Sequence, residues 1–323
     1  MWQSNDGRRA DRRSRIPHFG ARMGRLGCCA NASSPRLVPH AVYDRAKRQS
    51  AGVAKPPARH KELAMDLGIN GRKAMVCASS KGLGLACATA LAREGAQVWI
   101  NGRDAARLEA AQARIARETG ASVMAVVGDL DTAEGRAALL AACPDPDILV
   151  NNNHGPRPGK LDMLEEADFL AALHANMLSP LALIKAVVGG MRARKFGRIV
   201  NITSAQVLMP APEMGLSVSA RAGLMAMAKV LQFDCVADNV TVNNLLPGPF
   251  DTDRLASLAQ QQVAQEGITL EQAYARIGAR GPSGRVGQPH EFGDACAFLC
   301  AAQAGYISGQ CLTLDGGAYR GLF

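Results

Sequence analysis

Lys73-Ala74-Met75-Val76-Cys77-Ala78-Ser79-Ser80-Lys81-Gly82-Leu83-Gly84-Leu85-Ala86 is the stretch that decides the fold. The apolar run Ala74–Ala78 reads as a buried strand, and Leu83–Glu94 carries the apolar period of a helix. Between them lies a turn whose Gly82 and Gly84 let backbone N–H groups approach a pyrophosphate at the positive end of the helix. A glycine turn alone is a common connector. Its weight comes from standing between a first strand and a helix, with further strand–helix alternation behind it.

That alternation runs outward from the turn. Strands are expected at Gln97–Ile100, Val123–Val127, Ile148–Asn151, Arg198–Ile202, Thr241–Leu246 and Cys311–Leu314. Helical patterns fill Ala105–Thr119 and Ala133–Ala142, with longer ones over Ala167–Met191, Val218–Asp238 and Glu291–Ala302. Apolar strands alternating with helices imply one α/β domain, a doubly wound parallel sheet of about seven strands covered on both faces. The polar, Gln-rich segment Asp251–Gln288 ends in Gly and Pro punctuation and is expected to lie over one end of the sheet as a lid.

Charge separates this domain from what precedes it. The chain carries a net +9, but residues 1–64 alone hold 11 Arg and 3 Lys against 4 acidic residues. Residues 65–323 therefore carry 23 basic and 24 acidic side chains, which gives no electrostatic case for nucleic acid. Residues 1–64 show no sustained apolar period and are expected to be a disordered leader. A translation start at Met65 is the preferred reading, because Lys61-Glu62 can be encoded by a purine run just upstream. An organelle transit peptide and a nucleic-acid-binding arm remain alternatives. No run approaches the roughly 18 uninterrupted apolar residues of a spanning helix, so a membrane protein is not expected. Nine Cys contain no CxxC pair, and they are read as reduced, buried thiols of a cytoplasmic protein without a metal site.

Five ordered motifs make residues 68–320 resemble the short-chain dehydrogenase/reductase family. The family's TGxxxGxG turn is similar to Cys77–Gly84, with its Thr and first Gly replaced by Cys77 and Ala78. Its Asn-Asn-Ala-Gly segment is similar to Asn151-Asn152-Asn153-His154, and its Pro-Gly-x-x-x-Thr segment to Pro247–Thr252. The closing Tyr306-Ile307-Ser308-Gly309-Gln310 and Asp315-Gly316-Gly317 also match. The resemblance implies a nicotinamide dinucleotide held by the turn residues Ala78, Ser80, Lys81, Gly82, Leu83 and Gly84, the last three lining the pyrophosphate. It places Asp129 and Leu130 at the adenine, Asn151 and Asn152 along the cofactor, and Pro247, Gly248 and Thr252 at the nicotinamide. It also implies a homotetramer, paired through the two longest helices.

An acid at the end of the second strand would bind the adenosine ribose and select NAD, whereas a base there suits a 2′-phosphate. The strand ends Ile100-Asn101-Gly102-Arg103, and Lys81 adds a second cation, so NADP(H) is the expected cofactor. The family catalyses carbonyl–alcohol interconversion with Asn, Ser, Tyr and Lys. Asn176 and Ser204 match the first two. Ser217 and Arg221 stand where Tyr and Lys belong, in a register fixed by Ala222-Gly223-Leu224. This pattern resembles a divergent branch called 3-oxoacyl-acyl-carrier-protein reductase-like. Tyr has an ordinary pKa of about 10 and an aliphatic hydroxyl lies several units higher, so the proton donor is the open question. His154 beside the nicotinamide end is the alternative donor, with Tyr274 of the lid the one Tyr that could swing in. The leading reading is an NADP(H)-dependent oxidoreductase acting on a small carbonyl or hydroxyl compound, a 3-oxoacyl thioester among them. A silent dinucleotide sensor and a lyase-type relative are the competitors.

Overall fold

β1 (Lys73–Val76), β2 (Gln97–Gly102), β3 (Met124–Val127), β4 (Ile148–Asn151), β5 (Gly197–Ile202), β6 (Val240–Pro247) and β7 (Cys311–Leu314) pair in parallel in the order β3-β2-β1-β4-β5-β6-β7. The computed structural model describes residues 65–322; the leader expected at residues 1–64, with Cys28 and Cys29, lies outside the described residues. Along the central strands successive side chains enter opposite cores. Ala74, Val76, Ile148 and Val150 join one core, and Met75, Leu149 and Ile199 the other. The first core is closed by α1 (Gly82–Arg93), α2 (Ala105–Thr119) and α9 (Pro289–Cys300). The second is closed by α3 (Ala133–Ala142), α5 (Ser179–Ala193) and α6 (Gly215–Cys235). Burial on both faces is why these strands read as continuous apolar runs. Each buried Leu or Ile contributes about 1.5–3 kcal/mol, so the central strands carry much of the stabilisation.

The chain runs from β1 outward to β2 and β3, then crosses back to lay β4 on the other side of β1. The C-terminal ends of β1 and β4 therefore flank the switch point, where open α/β sheets bind ligands.

Several element boundaries differ from the sequence reading. The run expected as one helix over Ala167–Met191 is α4 (Glu166–Leu173), a π turn at His174–Leu178, and then α5. Taken together, Glu166–Ala193 is the one described stretch long and apolar enough to cross a membrane by composition, with a mean hydropathy of 1.4. Its buried side packs on β5 and α6, as the core helix of a sheet does. α9 begins earlier than expected, because Pro289 suits the first helical turn and Gln288 with Glu291 forms a capping box. Within residues 251–288, expected as a lid, α7 (Asp253–Glu266) and α8 (Leu270–Gly278) pack around Leu255, Ala259, Ala273 and Ile277. The two ends of that excursion are tied by Asp251 N–H to the Gly287 carbonyl at 2.8 Å and Gly287 N–H to Pro249 at 2.9 Å. Six of the described Cys are buried free thiols, as expected; Cys311 differs and is exposed on edge strand β7.

Candidate active site

Ala78 follows β1 at φ +44, a left-handed conformation that costs a side chain roughly 1–2 kcal/mol. It is held there from two sides: its N–H reaches Asn101 Oδ1 at 3.3 Å, and its carbonyl accepts from Asn152 Nδ2 at 3.1 Å. Gly82 has φ +58, and a Cβ there would meet only Thr252, in ordinary contact at 3.8 Å, so it is the backbone angle rather than space that favours glycine. Gly84 is the opposite case. A Cβ there would stand 2.9 Å from Asn152 Nδ2 and 3.0 Å from Ser79 Cα, so only glycine lets α1 close on the turn. Lys81 caps α1 without any side-chain bond, which leaves the first N–H groups of the helix to meet an anion. This cradle fits a dinucleotide pyrophosphate.

The next question is what surrounds the adenosine end. Asn101 is buried and spends its amide on the carbonyls of Val126 and Gly128, so it knits β2 to β3. Asp104, the nearest acid, accepts from Arg107 N at 2.9 Å and caps α2. Arg103 remains, its side chain 60% exposed, 3.7 Å from Asp129. Lys81 stands 3.7 Å from Asp253 of α7. Pairs this long and this exposed are worth about 0–1 kcal/mol, so an entering phosphate displaces them easily. Leu130 is buried, and its carbonyl accepts from Ser179 Oγ at 2.6 Å. Ser80 packs against Gly102, where a Cβ would come within 3.1 Å of it.

Beneath the crevice, side chains at registered positions of four strands form a chain of amides. Asn151 Nδ2 donates to Asn201 Oδ1 at 2.9 Å, Asn201 Nδ2 to Asn244 Oδ1 at 3.1 Å, and Asn244 Nδ2 to Cys311 Sγ at 3.6 Å. Asn151 Oδ1 is left buried with no partner. Pro247 ends β6, and Gly248 lies so close to Asp315 that a Cβ would stand 2.8 Å from its Cα. Thr252 opens α7, with Oγ1 3.4 Å from the Phe250 carbonyl.

The catalytic candidates arrive on three elements. Asn176 sits in the π turn, buried, its amide 3.4 Å from the Ala172 carbonyl. Ser204 follows β5 and caps a short 3-10 turn, Ala205–Val207, by accepting from Gln206 N at 3.2 Å. Both turns pack against α6, which carries Ser217 and Arg221 one helical turn apart. Arg221 Nη1 donates to Ser217 Oγ, and its Nε is buried without a partner. Burial, and after it the charge of Arg254, pushes the Arg221 pKa down to about 10, so it stays cationic at neutral pH.

His154 does not join this group by a hydrogen bond. Its Nε2 meets Asp131 Oδ2 at 2.9 Å, and Asp131 Oδ1 accepts from Asn153 Nδ2 at 2.7 Å. Tyr274 stays on α8, donating to Asp251 at 3.0 Å; burial and that bond raise its pKa. The roles of Asn101, Asp131, Asn201, Asn244 and Arg254 were not read from the sequence. A signal existed for Asn101 and Asn201, each the next-to-last residue of its strand, while Asn244 lies mid-strand in β6.

The profile described as Enoyl-(Acyl carrier protein) reductase matches residues 77–319. NADPH-dependent reductase BacG of Bacillus subtilis is 30% identical over 256 residues, covering 78% of this chain and 99% of that protein. The 3-oxoacyl-[acyl-carrier-protein] reductase FabG of Vibrio cholerae is 31% identical over 257 residues, 78% of this chain and 99% of its own. Among solved structures, L-sorbose reductase from Gluconobacter frateurii, complexed with NADPH and L-sorbose, superposes with a TM-score of 0.76 at 28% identity. That likeness covers 80% of this chain and all of that one. The seven-stranded parallel sheet, the glycine cradle at its switch point and these likenesses agree: the chain belongs to the short-chain dehydrogenase/reductase family of NAD(P)-dependent oxidoreductases.

Proposed function

We propose that this chain uses NADP(H) to interconvert a carbonyl and a hydroxyl compound, with 3-oxoacyl thioesters as one candidate class, at a site where Ser217 and Arg221 replace Tyr and Lys. The observation that carries the reading is that the turns bearing Asn176 and Ser204 both pack on α6, the helix of the Ser217–Arg221 pair, in a chain whose α1 keeps an uncapped, glycine-bounded N-terminus. Arg103, with the neighbouring acid committed to capping α2, supports the 2′-phosphate and hence NADP(H). The names of two similar proteins, both NADPH-linked, point the same way. When bound, NADP(H) supplies or accepts the hydride. Ser204 Oγ is the group to polarise a carbonyl, and the Arg221 cation stabilises oxyanion charge beside it. Arg holds that charge but does not relay protons as Lys can. Loss of the usual Tyr acid therefore lowers the rate, by about 10²–10⁴ where general acid catalysis is missing.

The test is an NADPH fluorescence titration followed by turnover of 3-oxoacyl thioesters and small ketones. Ser217→Tyr with Arg221→Lys is expected to raise the rate, and His154→Ala shows whether the Asp131-bound imidazole donates the proton. Tight NADPH binding with no turnover would favour the silent sensor instead. Absence of dinucleotide binding refutes the proposal outright. We also infer a homo-oligomer, a tetramer by family resemblance, from the apolar side chains left bare on α4 and α6, among them Leu170, Val230 and Phe233. The reading of residues 65–323 as one enzyme domain with a lid over 251–288 belongs to the same proposal.

A further inference from the structure

Two arginines border the site from different parts of the chain, and neither has a carboxylate partner among the described residues. Arg221 reaches it from α6. Its one hydrogen bond goes to a neutral hydroxyl, Ser217 Oγ, and its Nε is buried and unbonded. Arg254 reaches it from the first turn of α7, two residues after Thr252. Its guanidinium lies on the backbone of Gly155, so close that a Cβ there would stand 3.2 Å from Cζ and nearer still to Nη1. Glycine at 155 leaves this space to the cation without the guanidinium having to shift. The charge on Arg254 acts on Arg221 strongly enough to help lower its pKa, an effect secondary to burial.

Like charges brought together in a partly buried place destabilise each other unless an anion sits between them. The nearby acids do not supply one. Asp253 pairs with Lys81 at 3.7 Å, Asp131 with His154 at 2.9 Å, and Asp251 accepts from Tyr274 at 3.0 Å. Arg254 is exposed, so an incoming ligand can reach it. Guanidinium groups bind carboxylates through paired N–H donors, with both charge and shape.

We propose that Arg221 and Arg254 bind a carboxylate carried by the substrate close to its reacting carbon, which makes the substrate an oxo acid or hydroxy acid. This rests on the oxidoreductase reading above and narrows it, setting acids ahead of neutral ketones and esters. Arg254 then determines specificity, while Arg221 serves both the acid group and the oxyanion.

The experiment titrates short 2-oxo and 3-oxo carboxylates, and their methyl esters, into the NADP⁺-saturated full chain by calorimetry, alongside NADPH oxidation with the same compounds. The acids are expected to bind at least about tenfold tighter than the esters, the scale of one charge-assisted contact. Arg254→Gln removes most of that difference, Arg254→Lys keeps part of it, and NADP⁺ affinity is the same in all three proteins. Equal binding of acids and esters, or binding by none of the acids, overturns the proposal. So does a loss of NADP⁺ affinity in Arg254→Gln, which would assign the arginine to the cofactor phosphates. Inorganic phosphate displacing the acids at lower concentration would overturn the choice of carboxylate. Failure of NADP⁺ to bind refutes the oxidoreductase reading, and the acid–ester comparison on the unloaded chain still tests the arginine pair.

Discussion

Asn201→Ala tests whether the amide chain under the crevice holds the site together. Asn201 is fully buried in β5 and is the middle link, accepting from Asn151 at 2.9 Å and donating to Asn244 at 3.1 Å. Replacing it removes both bonds and strands two partners, Asn151 Nδ2 and Asn244 Oδ1. A buried polar atom left unsatisfied costs about 1–3 kcal/mol, so two cost about 2–6 kcal/mol, and a water entering the vacated space brings the expectation to about 3 kcal/mol. For a domain of this size each kcal/mol moves Tm by about 2–4 °C, which predicts a fall of roughly 6–12 °C. Asn151 Oδ1 already lacks a partner, so the variant frees the whole Asn151 amide, and NADPH affinity should weaken with it. The assay is thermal unfolding of wild type, Asn201→Ala, Asn151→Ala and the double variant, with NADPH titrations on each. The two changes should be strongly non-additive, because they remove the same bond. A loss below about 1 kcal/mol, or simple additivity, would refute the claim that the chain of amides is a structural unit.

Ala78→Gly should stabilise the fold by about 1 kcal/mol, read as a Tm rise of a few degrees, since φ +44 suits glycine; an unchanged Tm would show that the turn carries no strain. Glu291 is held down to about 2 from its ordinary 4.5, first by Arg285 and then by the Gln288 N–H, so its contribution is present above pH 4.5 and is lost as pH falls toward 2. Its side chain is 37% exposed and that of Arg285 58%, so Glu291→Gln should cost only about 1 kcal/mol at neutral pH after allowance for screening. The gap to wild type in urea unfolding should close below pH 4.5, and a gap independent of pH would rule the charge out. Phe233→Glu, on a residue 73% exposed beside Val230, should yield a smaller species by light scattering; an unchanged mass would move the subunit contact elsewhere.

Sequence by itself determined the doubly wound sheet and the glycine turn at Ala78–Gly84, and it is the source of the proposal that Ser217 and Arg221 stand in place of Tyr and Lys. Those features are local. A buried strand writes itself as an apolar run, a helix as a period, a tight turn as glycine, and the spacing from Ser204 to Ser217 is counted along one continuous segment. The π turn at Asn176 was not legible, because Ala167–Met191 keeps its apolar character straight through it. What only the tertiary structure decided was the partner of each charged or amide group. Packing gave Asp104 to the cap of α2 and His154 to Asp131. It gave Asn201 to both neighbouring strands, and set Arg254 against Gly155, 99 positions away in the chain. A side chain bonds to whatever the sheet order and helix packing bring within about 3 Å of it, and that distance is fixed by elements remote in sequence.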